Sequence, residues 1–409
     1  DVDVPWWRVV NASGRIVAGD ARLQAELLTA EGVVVRDGRV VAAGPRDRTP
    51  VDADRVVDLR GAFLTAGLWN CHVHFSGPPW AEAKARPAAA LAGPLRAMLN
   101  RHGFTSVVDT GSMLENTVAL RERIRRGDLA GPAIFTAGEP LYPRGGVPIY
   151  LKGFFAELGI APPEVGTPEE AAAAVRRRAE GGADLIKLFT GSPVGRGRAE
   201  HMPLEVVNAA VAEAQRLGKP VFAHPQDEEG VRRAVDGGVD VLAHTAPGAG
   251  PLPPELLARM RQARVAVVPT LTLFHRGVMQ EGTPEADALA LQARGVEQLR
   301  GLVAAGVEVL FGTDVGYMSY AETADELRLM ASAGMGFDRL LAALTAGPAR
   351  RFGREGRVGR VAPGYDADLT AFAADPRADA RAFAAPRLSL RAGRPLYDAA
   401  PAPAPARPR

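Results

Sequence analysis

Short apolar runs alternate with helical segments along the middle of the chain, and this alternation limits the fold more than any other feature. The helical segments include 169–180, 204–217 and 285–305, and several end in a glycine just before the next run. Strands that alternate with helices favour a parallel sheet, and eight such units fit a (β/α)8 TIM barrel of the α/β class. The eight strand-like runs are 62–75, 104–109, 133–137, 183–189, 220–224, 239–244, 265–270 and 307–314.

Segments rich in β-branched residues flank the alternating region at both ends, and turn-forming pairs separate them as in hairpins. We therefore expect a small β-sandwich domain built from both termini around the barrel. The expected boundaries are 1–60 and 359–400 for the small domain, 61–358 for the barrel, and 401–409 for a poorly ordered Ala/Pro tail. The strands predicted in the small domain are 8–10, 32–35, 39–43, 55–58, 367–372 and 386–390.

The charge balance excludes several classes of partner. Lys+Arg 49 against Asp+Glu 47 gives a net charge of +2, so no strong field would attract nucleic acid or an anionic membrane. No apolar stretch reaches the ~18 residues of a membrane span. The composition therefore indicates neither a nucleic-acid nor a membrane partner, and it leaves a homo-oligomer open. Because the chain begins at Asp1, both a cytoplasmic protein and an exported one with a removed signal segment also remain open.

The chain has a single cysteine, Cys71, which excludes an intrachain disulfide. Its position beside a histidine pair makes a reactive thiol conceivable. Free cysteines usually behave as small buried apolar residues, and we expect that role here.

Polar side chains fall where a barrel places its active site, at the carboxyl ends of the strands. Of the seven histidines in the chain, four lie at predicted strand ends. Two of these are separated by a single residue, so they share one face of a strand, and imidazole suits zinc and its neighbours. The candidates at the strand ends are His72, His74, Lys187, His224, His244 and Asp314.

Lys187 is the least expected of these residues, because it interrupts the apolar run 185–189. A buried lysine loses its solvation, which lowers its pKa and frees the amine. A neutral amine can add carbon dioxide to form a carbamate, whose two oxygens can bridge two metal ions. The other residues have simpler interpretations, since His224 could be a core residue and Asp314 a helix N-cap. The pattern as a whole favours a metal site.

These residues together resemble the amidohydrolase superfamily, in the branch whose binuclear centre is bridged by a carboxylated lysine. Within that branch, the chain is most similar to the imidazolonepropionase-like and Xaa-Pro dipeptidase (prolidase) group. The resemblance implies two divalent ions, by default Zn²⁺, although such sites also accept manganese, cobalt or iron. It is carried by His72-Val73-His74, Lys187, His224, His244 and the segments 184–187, 217–224, 311–314 and 359–369.

The resemblance also implies a role for each ligand and a reaction. N6-carboxylated Lys187 would bridge the two ions, and a hydroxide between them would attack an amide carbonyl. Asp314 would accept the proton and pass it to the leaving nitrogen. The implied substrate is a dipeptide such as Xaa-Pro, or an N-acyl or aryl-amide amino acid such as ochratoxin. The more buried ion would take His72, His74 and Asp314, and the outer ion His224 and His244.

Substrate selection is expected from the loops that follow the strands. An arginine there could hold a substrate carboxylate through two parallel hydrogen bonds. His201 is the first choice, because it directly precedes Met202-Pro203 at the apparent start of a helix and should face the mouth. The full set of candidates is Tyr142, Arg144, His201, His275, Arg276 and Tyr317.

Two other functions remain open. A mononuclear deaminase or cyclic amidine hydrolase of the same superfamily would need an acidic partner soon after His224, and Asp227 and Glu228 follow it closely. A non-catalytic relative that keeps the barrel would need no ligands, and the intact set of candidates argues against it.

Overall fold

The computed structural model describes residues 10–11, 31–45, 57, 59, 62–195 and 197–399. Most of the predicted strands at 8–10 and 55–58, and the whole 401–409 tail, lie outside these residues. The described strands are β1 (Val10–Asn11), β2 (Glu31–Arg36), β3 (Arg39–Pro45), β4 (Phe63–Ala66), β5 (Leu68–Val73), β6 (Phe104–Asp109), β7 (Ala133–Thr136), β8 (Tyr142–Pro143), β9 (Glu164–Val165), β10 (Ile186–Phe189), β11 (Gly191–Gly195), β12 (Arg198–His201), β13 (Val221–His224), β14 (Val241–Ala243), β15 (Ala266–Val268), β16 (Leu369–Phe372), β17 (Pro386–Arg391) and β18 (Arg394–Asp398).

The helices of the described residues fill the intervals between the parallel strands. They are α1 (Ala88–Met98), α2 (Leu114–Arg126), α3 (Lys152–Leu158), α4 (Pro168–Glu180), α5 (Leu204–Arg216), α6 (Glu228–Asp236), α7 (Pro254–Gln262), α8 (Val278–Gln280), α9 (Glu285–Ala304), α10 (Ala324–Ser332), α11 (Phe337–Leu344) and α12 (Ala346–Arg351). Short 3₁₀ turns cover Asn100–His102, Ile149–Leu151, Pro247–Ala249 and Ala380–Ala384, and a π-helical turn covers Leu273–Gly277. None of the described helices is long and apolar enough to cross a membrane.

The parallel strands that alternate with the helices form two main sheets, one of three strands in the order β5-β6-β7 and one of four in the order β10-β13-β14-β15. β8 and β9 form a separate two-stranded parallel sheet. Within each of these sheets, every strand pairs in parallel with the next one along the chain. This is the order that alternating strands and helices favour. The extended segment 307–315 lies between β15 and β5. Isolated bridges connect the two sheets and this segment, at Leu141–Leu188, Val267–Val309 and Val73–Val315.

The described residues do not form the expected closed barrel. The predicted eighth strand, 307–314, is an extended segment without a regular ladder. Isolated bridges and single backbone hydrogen bonds, such as Leu310 N to Val267 O and Cys71 N to Phe311 O, tie it to β15 and β5. Asp314 near its end has φ 63, outside the β region, which stops regular pairing there. The α/β class is as predicted, whereas the continuous eight-stranded ladder is not.

The apolar run 62–75 was a second incorrect prediction, because it forms two strands instead of one. β4 belongs to an antiparallel sheet and β5 to the parallel one, and Gly67 lies between them. A Cβ atom at Gly67 would lie 2.1 Å from Thr105 Oγ1. Only glycine fits this close approach, which lets the chain leave one sheet and enter the next.

Strands from both ends of the chain share one antiparallel sheet of five strands, in the order β1-β4-β16-β17-β18. The two-stranded β2-β3 hairpin lies beside it, and Val40 N donates to Tyr365 O at 2.9 Å. The described residues of this region show one sheet and one hairpin, which do not by themselves confirm the expected β-sandwich. The buried residues between them are Val40, Ala62, Leu64, Ala367, Leu369, Ala371 and Leu388.

A buried apolar cluster lies next to the parallel strands. The Trp69 ring stacks on Phe135 at 5.2 Å between centroids and on Phe352 at 5.7 Å. Cys71 belongs to the same cluster and is fully buried, and burial raises the pKa of its thiol. The structure thus confirms the expected buried role of Cys71, because a thiol without solvent or a nearby cation is a poor nucleophile.

Candidate metal centre

His72 and His74, at the end of β5, have ring centroids 5.2 Å apart. The buried Asn70 side chain fixes this strand end against the segment 307–315. Its Oδ1 accepts from the backbone N–H of His72 and of Thr313, both at 3.2 Å, and its Nδ2 donates to Thr313 Oγ1 at 2.8 Å. One amide therefore holds the histidine strand and the segment that carries Asp314 in register.

His74 and Asp314 approach each other closely enough to share a proton or a metal ion. His74 Nδ1 lies 2.6 Å from the carbonyl oxygen of Gly111, so this nitrogen carries the proton and donates. His74 Nε2 is then an acceptor, yet it lies 2.8 Å from Asp314 Oδ1, which is an acceptor as well. Two acceptors at this distance need a shared proton or metal ion. Burial opposes a charged His74, but Asp314 and Asp109 outweigh it and raise its pKa.

Asp314 Oδ1 also lies 3.3 Å from His72 Nε2. Both side chains are buried, and neither Asp314 Oδ1 nor His72 Nδ1 has a hydrogen bond among the described residues. Burial and the neighbouring His244 hold the pKa of His72 well below its usual value, so His72 is a neutral imidazole. Buried polar atoms without partners are rare and expensive, which marks this position as a ligand site.

His224 and His244 extend the cluster from β13 and from the end of β14, with ring centroids 4.8 Å apart. His244 Nδ1 lies 2.7 Å from Thr270 Oγ1, and His224 Nε2 lies 3.2 Å from Gln226 Oε1. Burial lowers the pKa of His224 to about 3 and that of His244 well below its usual value. The backbone is strained here, with φ 93 at His244 and φ 46 at Thr270, as is common at functional sites.

Lys187, in the middle of β10, is buried beside these histidines. No carboxylate among the described residues is close enough to form a salt bridge with it. Burial lowers the pKa of Lys187 to about 7, although Asp314 and Asp109 act in the opposite direction. A substantial fraction of the amine is therefore neutral and nucleophilic at neutral pH.

The structure brings all six predicted strand-end residues into one buried cluster. The ligand atoms of His72, His244 and Asp314 lie within 4.8 Å of one another. His74 joins them through Asp314, His224 adjoins His244, and the Lys187 charge lowers the pKa of His72 and His224. Neutral imidazoles around one carboxylate could hold a divalent ion.

Comparison with known proteins agrees with this arrangement. The chain matches the model of the amidohydrolase family over residues 63–390. The chain belongs to the amidohydrolase family. It is 25% identical over 416 residues to ochratoxinase from Aspergillus niger. The alignment covers 92% of this chain and 83% of that protein.

Solved structures of other amidohydrolases share the fold. A Xaa-Pro dipeptidase with bound methionine superposes with a TM-score of 0.80 at 24% identity, over 95% of this chain and 99% of that one. A putative prolidase from Bifidobacterium longum superposes with a TM-score of 0.74 at 28% identity, over 92% and 91%. The family and these neighbours identify a hydrolase, and they confirm the resemblance seen in the sequence.

Two of the loop candidates of this amidohydrolase make their contacts with residues outside the cluster. Tyr142 is buried, and its ring packs on Phe189 at 4.9 Å and on Phe155 at 6.2 Å between centroids. Arg144 is exposed and donates to both oxygens of Glu170, at 2.7 and 2.6 Å. Arg144 is therefore paired and is not directed at a substrate carboxylate.

His201 ends β12, in the β11-β12 hairpin that sequence reasoning missed. Its Nε2 lies 2.9 and 3.1 Å from the two oxygens of Asp227. Asp227 also caps α6 by accepting from Gly230 N at 2.9 Å, and Glu228 pairs with Arg232 at 2.7 Å. Both acidic residues that a mononuclear deaminase would need beside the β13 histidine are thus engaged elsewhere, which weakens that alternative.

The remaining candidates lie around the segments 273–281 and 316–320. His275 Nε2 is 3.9 Å from Glu285, and Arg276 stacks on Tyr320 at 5.0 Å from the ring centroid. Tyr317 lies three residues after Asp314, and its hydroxyl donates to Glu281. Of the loop candidates, Tyr317 is the nearest in sequence to Asp314, the carboxylate of the cluster.

Sequence reasoning missed three residues near the cluster. Glu326 in α10 is fully buried and holds the backbone beside Thr270. The sequence feature that could have identified Glu326 is its spacing. It lies four residues before Met330, on the buried face of the same helix. Tyr150 and Glu281 adjoin Tyr317. The sequence feature that could have identified this region is the distribution of tyrosines. Four of the six follow the third and eighth predicted strands, at positions 142, 150, 317 and 320.

Proposed function

We propose that this chain is a metal-dependent amidohydrolase that cleaves an amide bond in a dipeptide or in an N-acyl or aryl-amide amino acid. The observation that carries the proposal is the buried convergence of His72, His244 and Asp314 ligand atoms within 4.8 Å of one another. The putative prolidase and ochratoxinase, which match most of the chain, support the substrate class.

The residues present fit two divalent ions. The Nδ1 atoms of His74 and His244 are fixed by Gly111 O and Thr270 Oγ1, as the second nitrogen of a metal-binding histidine usually is. The unpartnered Asp314 Oδ1 lies beside two Nε2 atoms. One ion would be held by His72, His74 and Asp314, and the other by His224 and His244. This donor set suits Zn²⁺ and also manganese, cobalt or iron.

Lys187 would bridge the two ions after carboxylation. The neutral Nζ would form a bond to the carbon of carbon dioxide as one C=O π bond opens, and the nitrogen would release one proton. The product is an N6-carboxylated lysine with one negative charge shared by its two oxygens. Burial without an acidic partner favours this reaction, since it keeps much of the amine unprotonated at neutral pH.

The residues of the chain perform the proton transfers of the reaction. Bound ions would polarise the amide carbonyl and lower the pKa of the attacking water. Asp314 is placed to accept the proton of that water and to return it to the leaving nitrogen. The Phe189 ring stacks on His224 at 4.5 Å between centroids and keeps water from that face.

The proposal is tested by elemental analysis of the purified protein, combined with a hydrolysis screen of dipeptides and N-acyl amino acids. Lys187→Ala is expected to lower both metal content and activity, and added bicarbonate is not expected to restore them. Lys219→Ala is the matched control, because Lys219 precedes β13 at its amino end, away from the cluster. Full activity of Lys187→Ala, or no metal in protein purified without chelator, would contradict the binuclear mechanism.

A further inference from the structure

The rim beside Asp314 carries a carboxylate and two aromatic rings that the proposed reaction does not use. The rings of Tyr150 and Tyr317 lie 5.1 Å apart with an interplanar angle of 56°. The Tyr317 hydroxyl donates to Glu281, just after α8. These three residues, Tyr150, Tyr317 and Glu281, are called the rim cluster below.

Hydrogen bonds hold the rim cluster in place. Gln280 Nε2 donates to Tyr317 O at 3.3 Å, and Gln280 Oε1 accepts from Ser319 N at 3.3 Å. On the other side, Ser76 Oγ donates to Gly316 O at 2.7 Å. The segment that carries Tyr317 is therefore anchored from two directions, only three residues beyond Asp314.

Glu281 has no cationic partner among the described residues. Its one hydrogen bond there comes from Tyr317 and occupies Oε1, which leaves Oε2 available. Burial, and the negative charge of Asp314, raise the pKa of Glu281, so the carboxylate lies within the electrostatic reach of the centre. A carboxylate with a free oxygen attracts a cation, and the two neighbouring tyrosine rings can add a cation–π contribution.

The same rim offers little to a substrate carboxylate. Arg144 is paired with Glu170, and Arg276 stacks on Tyr320. The expectation that an arginine among the candidate loop residues holds a carboxylate therefore finds no support there. The charge of the rim cluster instead favours a positively charged group on the substrate.

We propose that the rim cluster binds a primary ammonium group on the acyl side of the scissile bond. In an unblocked dipeptide, the α-ammonium is one carbon from the carbonyl that is attacked, so it must lie close to the centre. An N-acylated amino acid has no such charge and would leave Glu281 without a cationic partner. This inference rests on the proposed amide hydrolysis, and it selects free dipeptides over N-acyl amino acids as the substrate class.

The test compares a free dipeptide with its N-acetyl form, for example Met-Pro with N-acetyl-Met-Pro. Glu281→Gln keeps an acceptor for Tyr317 but removes the charge. A lost charge-assisted hydrogen bond should lower kcat/KM on the free dipeptide by about 10- to 100-fold, mainly through KM. Activity on the N-acetyl form should be low and change by less than about threefold in this variant.

Glu285→Gln is the matched control. It removes the same charge from an exposed side chain that lies four residues after Glu281 in the sequence. It should leave both substrates unaffected. Tyr317→Phe keeps the ring and should cost the free dipeptide less than Glu281→Gln does. Circular dichroism and metal content should match the wild type in all three variants.

Different outcomes would contradict the ammonium site and the proposed amide hydrolysis. Equal hydrolysis of both forms, or the same loss for both in Glu281→Gln, would overturn the ammonium site and leave amide hydrolysis standing. Cleavage of neither a dipeptide nor any N-acyl amino acid would overturn the proposed function, and the rim assignment with it.

Discussion

Glu326 is a fully buried carboxylate that supports the candidate metal centre from behind. It accepts from Leu271 N at 2.8 Å and from Thr272 N at 2.7 Å, and it also accepts from the Thr272 hydroxyl. These bonds fix the chain next to Thr270, whose hydroxyl orients His244. Glu326 therefore acts on the site through the 270–272 backbone, as a positioning residue.

Glu326→Gln should weaken both the fold and the reaction. A glutamine has one acceptor oxygen and cannot accept from both backbone N–H groups, so one buried donor stays unpaired at a cost of about 1–3 kcal/mol. Urea unfolding and kcat measured on the screened substrate check this. Glu322→Gln, an exposed position four residues earlier, should change neither quantity. Unchanged stability in Glu326→Gln would contradict the role.

His102 makes the fold sensitive to acid. Burial, and the nearby Arg101 charge, lower its pKa to about 4 from the usual 6.5. Between pH 6.5 and 4 the unfolded chain binds a proton that the folded chain does not, so stability falls as the pH falls through this window. The loss attributable to His102 is about 3 kcal/mol.

The check is urea unfolding at several pH values. His102→Gln should lose less stability than the wild type between pH 6.5 and 4, whatever its stability at neutral pH. The difference between the two slopes isolates His102 from the histidines of the centre, which are present in both proteins. Parallel slopes would show that His102 keeps its usual pKa.

Among individual residues, those whose position follows from strand geometry alone could be predicted from the sequence. His72, His74 and His224 were found because alternating side chains and strand ends place them at one mouth. Glu326 and Thr270 were not, because their roles depend on how a helix packs on a loop. The pairing of Arg144 with Glu170 was not predicted for a similar reason, since the two residues meet only in the folded chain.

Among the elements, the extended segment 307–315 and the turn after it decide the position of Asp314. Gly316 has φ +99, and a Cβ there would lie 1.8 Å from His74 O. The turn therefore passes directly against the strand end that carries both histidines of β5.

Gly316→Ala should displace Asp314 and abolish most activity and metal binding, because the contact is with backbone, which cannot yield. Gly334→Ala is a matched control, since Gly334 has φ +96 but nothing within 4 Å of its Cβ position. The control should lose stability through backbone strain but keep its activity per folded molecule. Equal activities of the two variants would contradict the steric argument.

The predicted helices agree closely with the structure. The segments 169–180, 204–217 and 285–305 correspond to α4, α5 and α9 within one residue at each end. Thr167 and Glu170 form the reciprocal cap that a helix start with proline at its first position favours. The irregular form of the eighth strand and the division at Gly67 were not predicted, because a positive φ and a close approach are tertiary features without a period in the sequence.

In the whole molecule, the proposed ions would connect parts of the chain that are far apart in sequence. The ligand positions run from His72 to Asp314 and come from both parallel sheets and from the 307–315 segment. A chelator should therefore lower the Tm markedly while the far-UV circular dichroism stays the same, since binding to the folded state alone adds stability.

Adding Zn²⁺ back should restore the Tm, and Lys187→Ala should show a smaller difference between the metal-loaded and chelated forms. Differential scanning calorimetry measures all of these. An identical Tm before and after chelation, in protein shown to contain metal, would mean that the ions do not join the two sheets.

The sheet that unites both ends of the chain has a consequence for synthesis. Ala66 of β4 pairs with Leu369 of β16, so 369 − 66 = 303 residues separate the partners. At the usual pace of translation, β4 waits about 15–60 s for its neighbour to leave the ribosome. During that interval a strand edge of the nascent chain is open to chaperones and to other nascent chains, which makes this edge the point where co-translational misassembly would begin.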